Sequence, residues 1–169
     1  MEVGLYCKTP VGYVSICSDG ESITRLHLGK LKGMVVEETH VIARTITQLT
    51  EYFEGKRTKF DLPLSPKGTV FQKKVWEALQ KIPYGQTRSY KEIAKMVGNE
   101  KAVRAVGMAN RVNQIAIIIP CHRVIGSDGS LTGYAGGLKI KQRLLCLEKE
   151  HMWLEDTLSE TENKLKLYI

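Results

Sequence analysis

The run Ile115-Ala116-Ile117-Ile118-Ile119-Pro120-Cys121-His122-Arg123-Val124 constrains this chain more than any other stretch. Its apolar, mostly β-branched first half predicts a short strand buried on both faces. Pro120 ends that strand, because proline cannot donate a ladder hydrogen bond. A cysteine and a histidine follow at once. Neighbours on a strand point to opposite faces, but the turn at a strand end can bring Cys121 and His122 into one pocket. Thiolate, not thiol, is the nucleophile, and a nearby imidazole can take the proton. The plain alternative is a buried structural cysteine beside a surface histidine, so the surroundings have to decide.

The 169 residues make one large domain or two small ones, enough to bury a core without staples. No run approaches the ~18 apolar residues of a membrane span. The start, Met1 to Tyr6, has neither the basic nor the apolar part of a signal peptide. The expectation is therefore a cytoplasmic protein with no membrane partner, and with Cys7, Cys17, Cys121 and Cys146 as reduced thiols.

The net charge of +7 is concentrated in one place. Between Lys67 and Asn113 stand ten lysines and arginines against Glu77, Glu92 and Glu100, while the rest of the chain balances at fifteen each. A basic segment on a neutral body suits a polyanion; a solvated helical surface would look the same.

In chain order, residues 1–62 read as a small α/β unit. Val3–Tyr6, Val11–Cys17 and Ile23–Leu28 are strand-like, and Val35, Ile42, Ile46, Leu49 and Phe53 follow at helical spacing. Cys7, Cys17, His27 and His40 fit no metal-binding spacing. Leu62 to Gly68, with two prolines and a glycine, is the linker. A mostly helical part, 63–150, comes next. Thr69 and Gln72 form a capping box for a helix with Phe71, Val75, Ala78, Leu79 and Ile82 inward. Ser89 and Glu92 cap another, which Gly98 closes. A further helix from Lys101 to about Asn110 completes a helix-turn-helix. Its small residues Ala102, Ala105, Gly107 and Ala109 flank Lys101, Arg104 and Arg111, allowing close approach to a groove or to another helix. The stretch Gly126 to Gly137 is a glycine-rich loop without a phosphate-loop pattern. In the helix after it, Glu148 could orient His122, although a glutamate near a helix end is ordinarily on the surface. The tail, 151–169, is polar, with a weak amphipathic pattern near Leu165 and Leu167.

From Phe71 to Glu148, through "SYKEIA", "GNEKAVRAVG", "IIIPCHRV" and "GYAGGLKIKQRLL", the chain resembles the O6-alkylguanine-DNA alkyltransferases. The first half agrees more loosely, through Thr9-Pro10-Val11-Gly12. The resemblance implies an α+β protein with a ribonuclease H-like N-terminal domain and a helical DNA-binding domain. It implies a monomer without cofactor or metal that flips O6-alkylguanine, or O4-alkylthymine, out of duplex DNA and moves the alkyl group irreversibly to its own cysteine. Cys121 would be the acceptor, His122 the base acting through a water, and Glu148 the carboxylate that orients it. Asn113 would hold the cysteine environment, and Tyr90 would help protonate the leaving guanine. Arg104 would fill the gap in the duplex, with Lys101, Ala105, Gly107 and Arg111 around it at the DNA. Val124 by its carbonyl, Tyr134, and Ala135 by its amide would line the base pocket. Ala135 stands where some members have serine, Gln114 where proline is frequent, and the zinc ligands of mammalian members have no match.

Three other readings remain open. The non-catalytic alkyltransferase-like damage binders share the fold but lack the cysteine. A cysteine hydrolase would turn over repeatedly. A plain helix-turn-helix regulator leaves the Pro-Cys-His-Arg-Val run unexplained.

Overall fold

The computed structural model describes residues 1–134 and 136–152. Ala135 and the 153–169 part of the tail lie outside them, and with them the expectations for the Ala135 amide and for Leu165 and Leu167.

The architecture is mixed α+β. Strands β1 (Val3–Thr9), β2 (Gly12–Ser18) and β3 (Ile23–Leu28) form an antiparallel sheet in that order. Val14 and Ile16, alternate residues of β2, are fully buried. Helix α1 (His40–Phe53) covers this sheet and starts later than its apolar spacing predicts. Val35 and Val36 are taken up beside β1 instead: Gly4 N–H donates to Val35 O and Glu37 N–H to Gly4 O. Thr39, whose side chain accepts from the Ile42 amide, then caps the helix.

Strand β3 is a sheet edge, and its free backbone groups hold two other segments. At Ile23 it pairs with the linker, through Pro63 O and Ser65 N–H. At Leu26 it pairs with Gln114 O and Ala116 N–H, just ahead of the cysteine.

Helix α2 (Val70–Gln80) carries the expected Thr69–Gln72 capping box, and α3 (Tyr90–Met96) the expected Ser89–Glu92 box. Gly98, at φ +83°, and Asn99 close α3 by donating to Lys95 O and Ala94 O, the paired C-terminal bonds that need a left-handed residue. The partner helix α4 (Val103–Arg111) begins two residues after Lys101, because Asn99 first spends its side chain and carbonyl on the Lys101 and Ala102 amides. The pair β4 (Arg88–Ser89) and β5 (Val124–Ile125) ties the start of α3 to the residues after the cysteine. Helix α5 (Leu138–Glu150) closes the described fold.

One continuous core joins both halves, with Ile16, Leu26, Leu49 and Tyr52 from the first and Trp76, Leu79, Ile93 and Leu144 from the second. Trp76 also donates its indole N–H to Ala109 O at 2.8 Å, fixing α2 on α4. Among the described residues no helix is long and apolar enough to cross a membrane, and no cluster of His, Cys, Asp and Glu could hold a metal ion.

Candidate active site

Ile115 to Ile119 is buried as expected, but it is not a strand. Only Ile115 pairs with β3, after which the chain coils: Ile118 N–H donates to Ala116 O and Ile119 N–H to Ile115 O. A side chain supplies what a neighbouring strand would have supplied. Asn113 donates to Ile119 O at 2.9 Å and to Ile115 O at 3.4 Å, and accepts from the Ile115 amide at 3.1 Å. Ile117 is held at φ +70°, a costly conformation for a β-branched residue that persists only where the surroundings over-determine it.

The coil delivers Cys121 onto a single 3-10 turn, Cys121–Arg123. Asn110 of α4 donates to Cys121 O at 3.3 Å, so the outer helix of the pair is bonded directly to the thiol's own residue. Burial pushes the Cys121 thiol up, while Asn113 and the Lys141 charge pull it back down.

His122 is fully buried, and its Nε2 lies 2.5 Å from Glu148 Oε2. The pairing that sequence alone argued against is therefore present, because Glu148 lies on the inner face of α5 with Lys141 and Leu144. Arg123 reaches Glu148 Oε1 from Nε at 2.7 Å and Oε2 from Nη2 at 3.1 Å. Gly85 N–H donates to Oε1 at 3.2 Å and the Tyr52 hydroxyl to Oε2 at 2.6 Å. Burial alone would raise the Glu148 pKa, but His122 and Arg123 outweigh it and hold the carboxyl well below the usual range. An ionised carboxylate only accepts, so the proton between them belongs to His122 Nε2. Burial lowers the His122 pKa against the pull of Glu148. Nδ1 is the other ring nitrogen, and among the described residues it has no partner.

Cys121, Asn110, Asn113, Tyr134 and Arg111 line a cleft of about 280 Å³, whose far wall is Arg25 to Leu28 of β3. Besides His122 Nδ1, both Asn110 Oδ1 and the Tyr134 hydroxyl are buried without partners among the described residues, an unusual concentration of unused polar atoms in a folded interior. Val124 O accepts from Lys141 Nζ at 2.5 Å and Thr132 O accepts from it at 2.9 Å. Thr132 O also accepts from the Tyr90 hydroxyl at 3.0 Å, which places Tyr90 against the glycine-rich loop. Of the outer residues of this helix and its approach, only Arg111 also borders the cleft. Lys101, Arg104, Ala105 and Arg111 are exposed, with Met108 beside them, while Val106, Ala109 and Asn110 face inward. A side chain at Gly107 would meet nothing nearer than the Tyr90 ring at 4.0 Å, so packing within the molecule does not demand glycine there.

Two family models match the chain: "6-O-methylguanine DNA methyltransferase, ribonuclease-like domain" over residues 3–66, and the DNA binding domain of the same description over 70–150. A methylated-DNA–protein-cysteine methyltransferase of Methanosarcina barkeri is 49% identical over 151 residues, 86% of this chain and 96% of the relative. The chain belongs to the O6-methylguanine-DNA methyltransferase family. The constitutive methyltransferase of Bacillus subtilis is likewise 49% identical, over 84% of this chain and 92% of its own. A crystal structure of Mycobacterium tuberculosis OGT in complex with DNA matches with a TM-score of 0.81 and 44% identity, covering 86% of this chain and 92% of that one.

Within this methyltransferase fold, Tyr52, Arg123, Lys141, Asn110 and the Gly85 amide are the parts that sequence reasoning missed. One signal was available. Lys141, Leu144 and Glu148 are spaced three and four apart, so two charged residues share the face of an inward leucine. Lys141→Met should slow iodoacetamide labelling of Cys121 at neutral pH several-fold, because it removes the positive charge that favours the thiolate. Mass analysis of the Cys121 peptide, separate from that of the exposed Cys146, checks this.

Proposed function

We propose that this protein repairs duplex DNA by moving the alkyl group of O6-methylguanine irreversibly to Cys121, once per molecule. The observation that carries the reading is Cys121 lining the cleft next in sequence to the buried His122–Glu148 pair, in a chain of this family. His122 Nδ1 takes the thiol proton through a water. The thiolate sulfur then bonds the methyl carbon as the carbon–O6 bond breaks, and guanine leaves with the electron pair and takes up a proton. The net change is exchange of the thiol hydrogen for methyl. Tyr90 at the loop passes a proton to the guanine and regains one from solvent, while His122 releases the thiol proton to solvent. The Val124 carbonyl, Tyr134 and the Ala135 amide receive the base. Asn113 supports the thiolate as well as the coil. We assign residues 63–150 to DNA binding and transfer and residues 1–62 to the scaffold behind them. O4-alkylthymine is the second substrate, slower because it fills the pocket less. The chain acts as a monomer and needs no cofactor.

The target base must leave the helix to meet a buried thiol, which costs a few kcal/mol. Exposed Arg104 on α4, among small residues and with Lys101 and Arg111 at the phosphates, is suited to occupy the gap it leaves. Arg104→Ala should slow repair of an O6-methylguanine duplex about 10- to 100-fold, while reaction with free O6-benzylguanine base stays within about twofold. Equal losses on both substrates would rule out the gap-filling role.

Intact-mass analysis after mixing with an O6-methylguanine duplex tests the reading as a whole. The expected result is one added methyl per protein, on the peptide containing Cys121, and no reaction beyond one equivalent. Demethylation of excess DNA by unmodified protein would replace this reading with a hydrolase, and unchanged DNA with unchanged protein would replace it with a damage binder.

A further inference from the structure

Glu148 is held from two sides of the molecule. Gly85, His122 and Arg123 all belong to the helical half, whereas the remaining donor, Tyr52, projects from α1 on the N-terminal sheet, 96 residues away in sequence. Tyr52 is fully buried. Its ring is fixed by Phe53, Phe60 and Tyr84, with centroids 5.2, 5.5 and 6.2 Å away, so the hydroxyl has one direction available. That hydroxyl donates to Oε2, the same oxygen that receives the His122 Nε2 proton.

We propose that Tyr52 is a positioning residue for the transfer reaction: by sharing Glu148 Oε2 with His122 it sets the basicity of the imidazole, and so makes the N-terminal half part of the active site. This rests on the reading of His122 as the base above.

The chemistry follows from competition for one oxygen. Each donor on Oε2 withdraws electron density from it, so with Tyr52 present Oε2 accepts the Nε2 proton less strongly. The imidazole then stays neutral to lower pH, and Nδ1 remains available as a base. The other groups bearing on His122 are Lys141 and Glu148 from α5, with Arg123 and Cys121 on its own turn. Tyr84 and Tyr134 bear on the same Glu148 carboxylate. None of these is altered by removing the Tyr52 oxygen. The phenol itself does not titrate in the working range, because burial and the Glu148 charge push it well above its ordinary value.

The sign is definite. Without the Tyr52 hydroxyl, Oε2 binds the His122 proton more tightly and the imidazolium persists to higher pH. In Tyr52→Phe, which keeps the ring and its packing, the acid limb of the single-turnover rate against pH should move up by about half a unit to one unit. Below that limb, repair of an O6-methylguanine duplex should be about 3- to 10-fold slower than in the unsubstituted protein, with the plateau rate and the DNA affinity within about twofold. A second variant retains the hydroxyl as well as the ring. 2,3-Difluorotyrosine installed at position 52 keeps the shape but is a stronger donor, and should move the limb down. Superimposable profiles for the native protein and either variant would leave Tyr52 with a packing role only and overturn the inference. Failure of the native protein to take up methyl would instead strike the underlying reading, so the two failures are told apart.

Discussion

Glu148→Ala is expected to cost about 3–5 kcal/mol of folding stability and to abolish methyl uptake. The size of the effect comes from what the carboxylate leaves behind. Arg123 is 6% exposed and its two bonds to Glu148 have no replacement, so a guanidinium would stand nearly buried without a counter-charge. The Tyr52 hydroxyl and the Gly85 amide would lose their acceptor in the same interior. Urea denaturation measures the loss directly, and a cost under about 1 kcal/mol would show that the network is not what holds α5 against the 3-10 turn. The same anion predicts a pH dependence. The folded-state pKa of Glu148 lies below its unfolded value, so its stabilisation is fully present above the ordinary carboxylate range and is lost as pH falls through that range towards the depressed folded value. His122 acts in the same direction: its folded pKa is lowered, so protonation below the ordinary imidazole range favours the unfolded chain. Acid titration of stability should therefore be steeper in the native protein than in Glu148→Ala.

Cys121→Ala is expected to remove methyl transfer completely, because in the proposed reaction the sulfur is the acceptor as well as the nucleophile and nothing else ends bonded to the alkyl carbon. Loss of a catalytic base slows a reaction; loss of the acceptor leaves it without a product. The fold should tolerate the change, since the side chain is small and the turn is held through Cys121 O and the Asn113 amide rather than through sulfur. DNA binding should persist and retain the steep salt dependence of a surface that releases counterions. Mass analysis against an O6-methylguanine duplex reads both points. A methyl found on the exposed Cys146 of the variant, at a rate near that of the native protein, would move the acceptor away from the buried site.

Sequence patterns described the local elements well where local chemistry decides them. The Thr69–Gln72 and Ser89–Glu92 boxes and the left-handed Gly98 are present as expected, because each is a contact between residues a few positions apart. The Ile115–Ile119 run was misjudged for the same reason in reverse. Its β-branched composition favours a strand, but the bonds it makes go to the Asn113 side chain and to the edge of β3, and composition does not report partners. Glu148 shows the limit from another side. Its position near a helix end predicts solvent, and only the joint arrival of Arg123, Gly85 and Tyr52 makes an interior carboxylate affordable.

Alone, the sequence determined the order of elements, the basic segment, the Cys-His pair and, through its family motifs, the class of reaction. Those are properties of residue identity and short spacing. Tertiary structure decided that the thiol leaves a strained coil rather than a strand, that Glu148 meets His122 at Nε2, and that a tyrosine from the far half of the chain reaches the same carboxylate. Each of these is a contact between segments brought together by the common core, over separations at which a sequence carries no spacing signal.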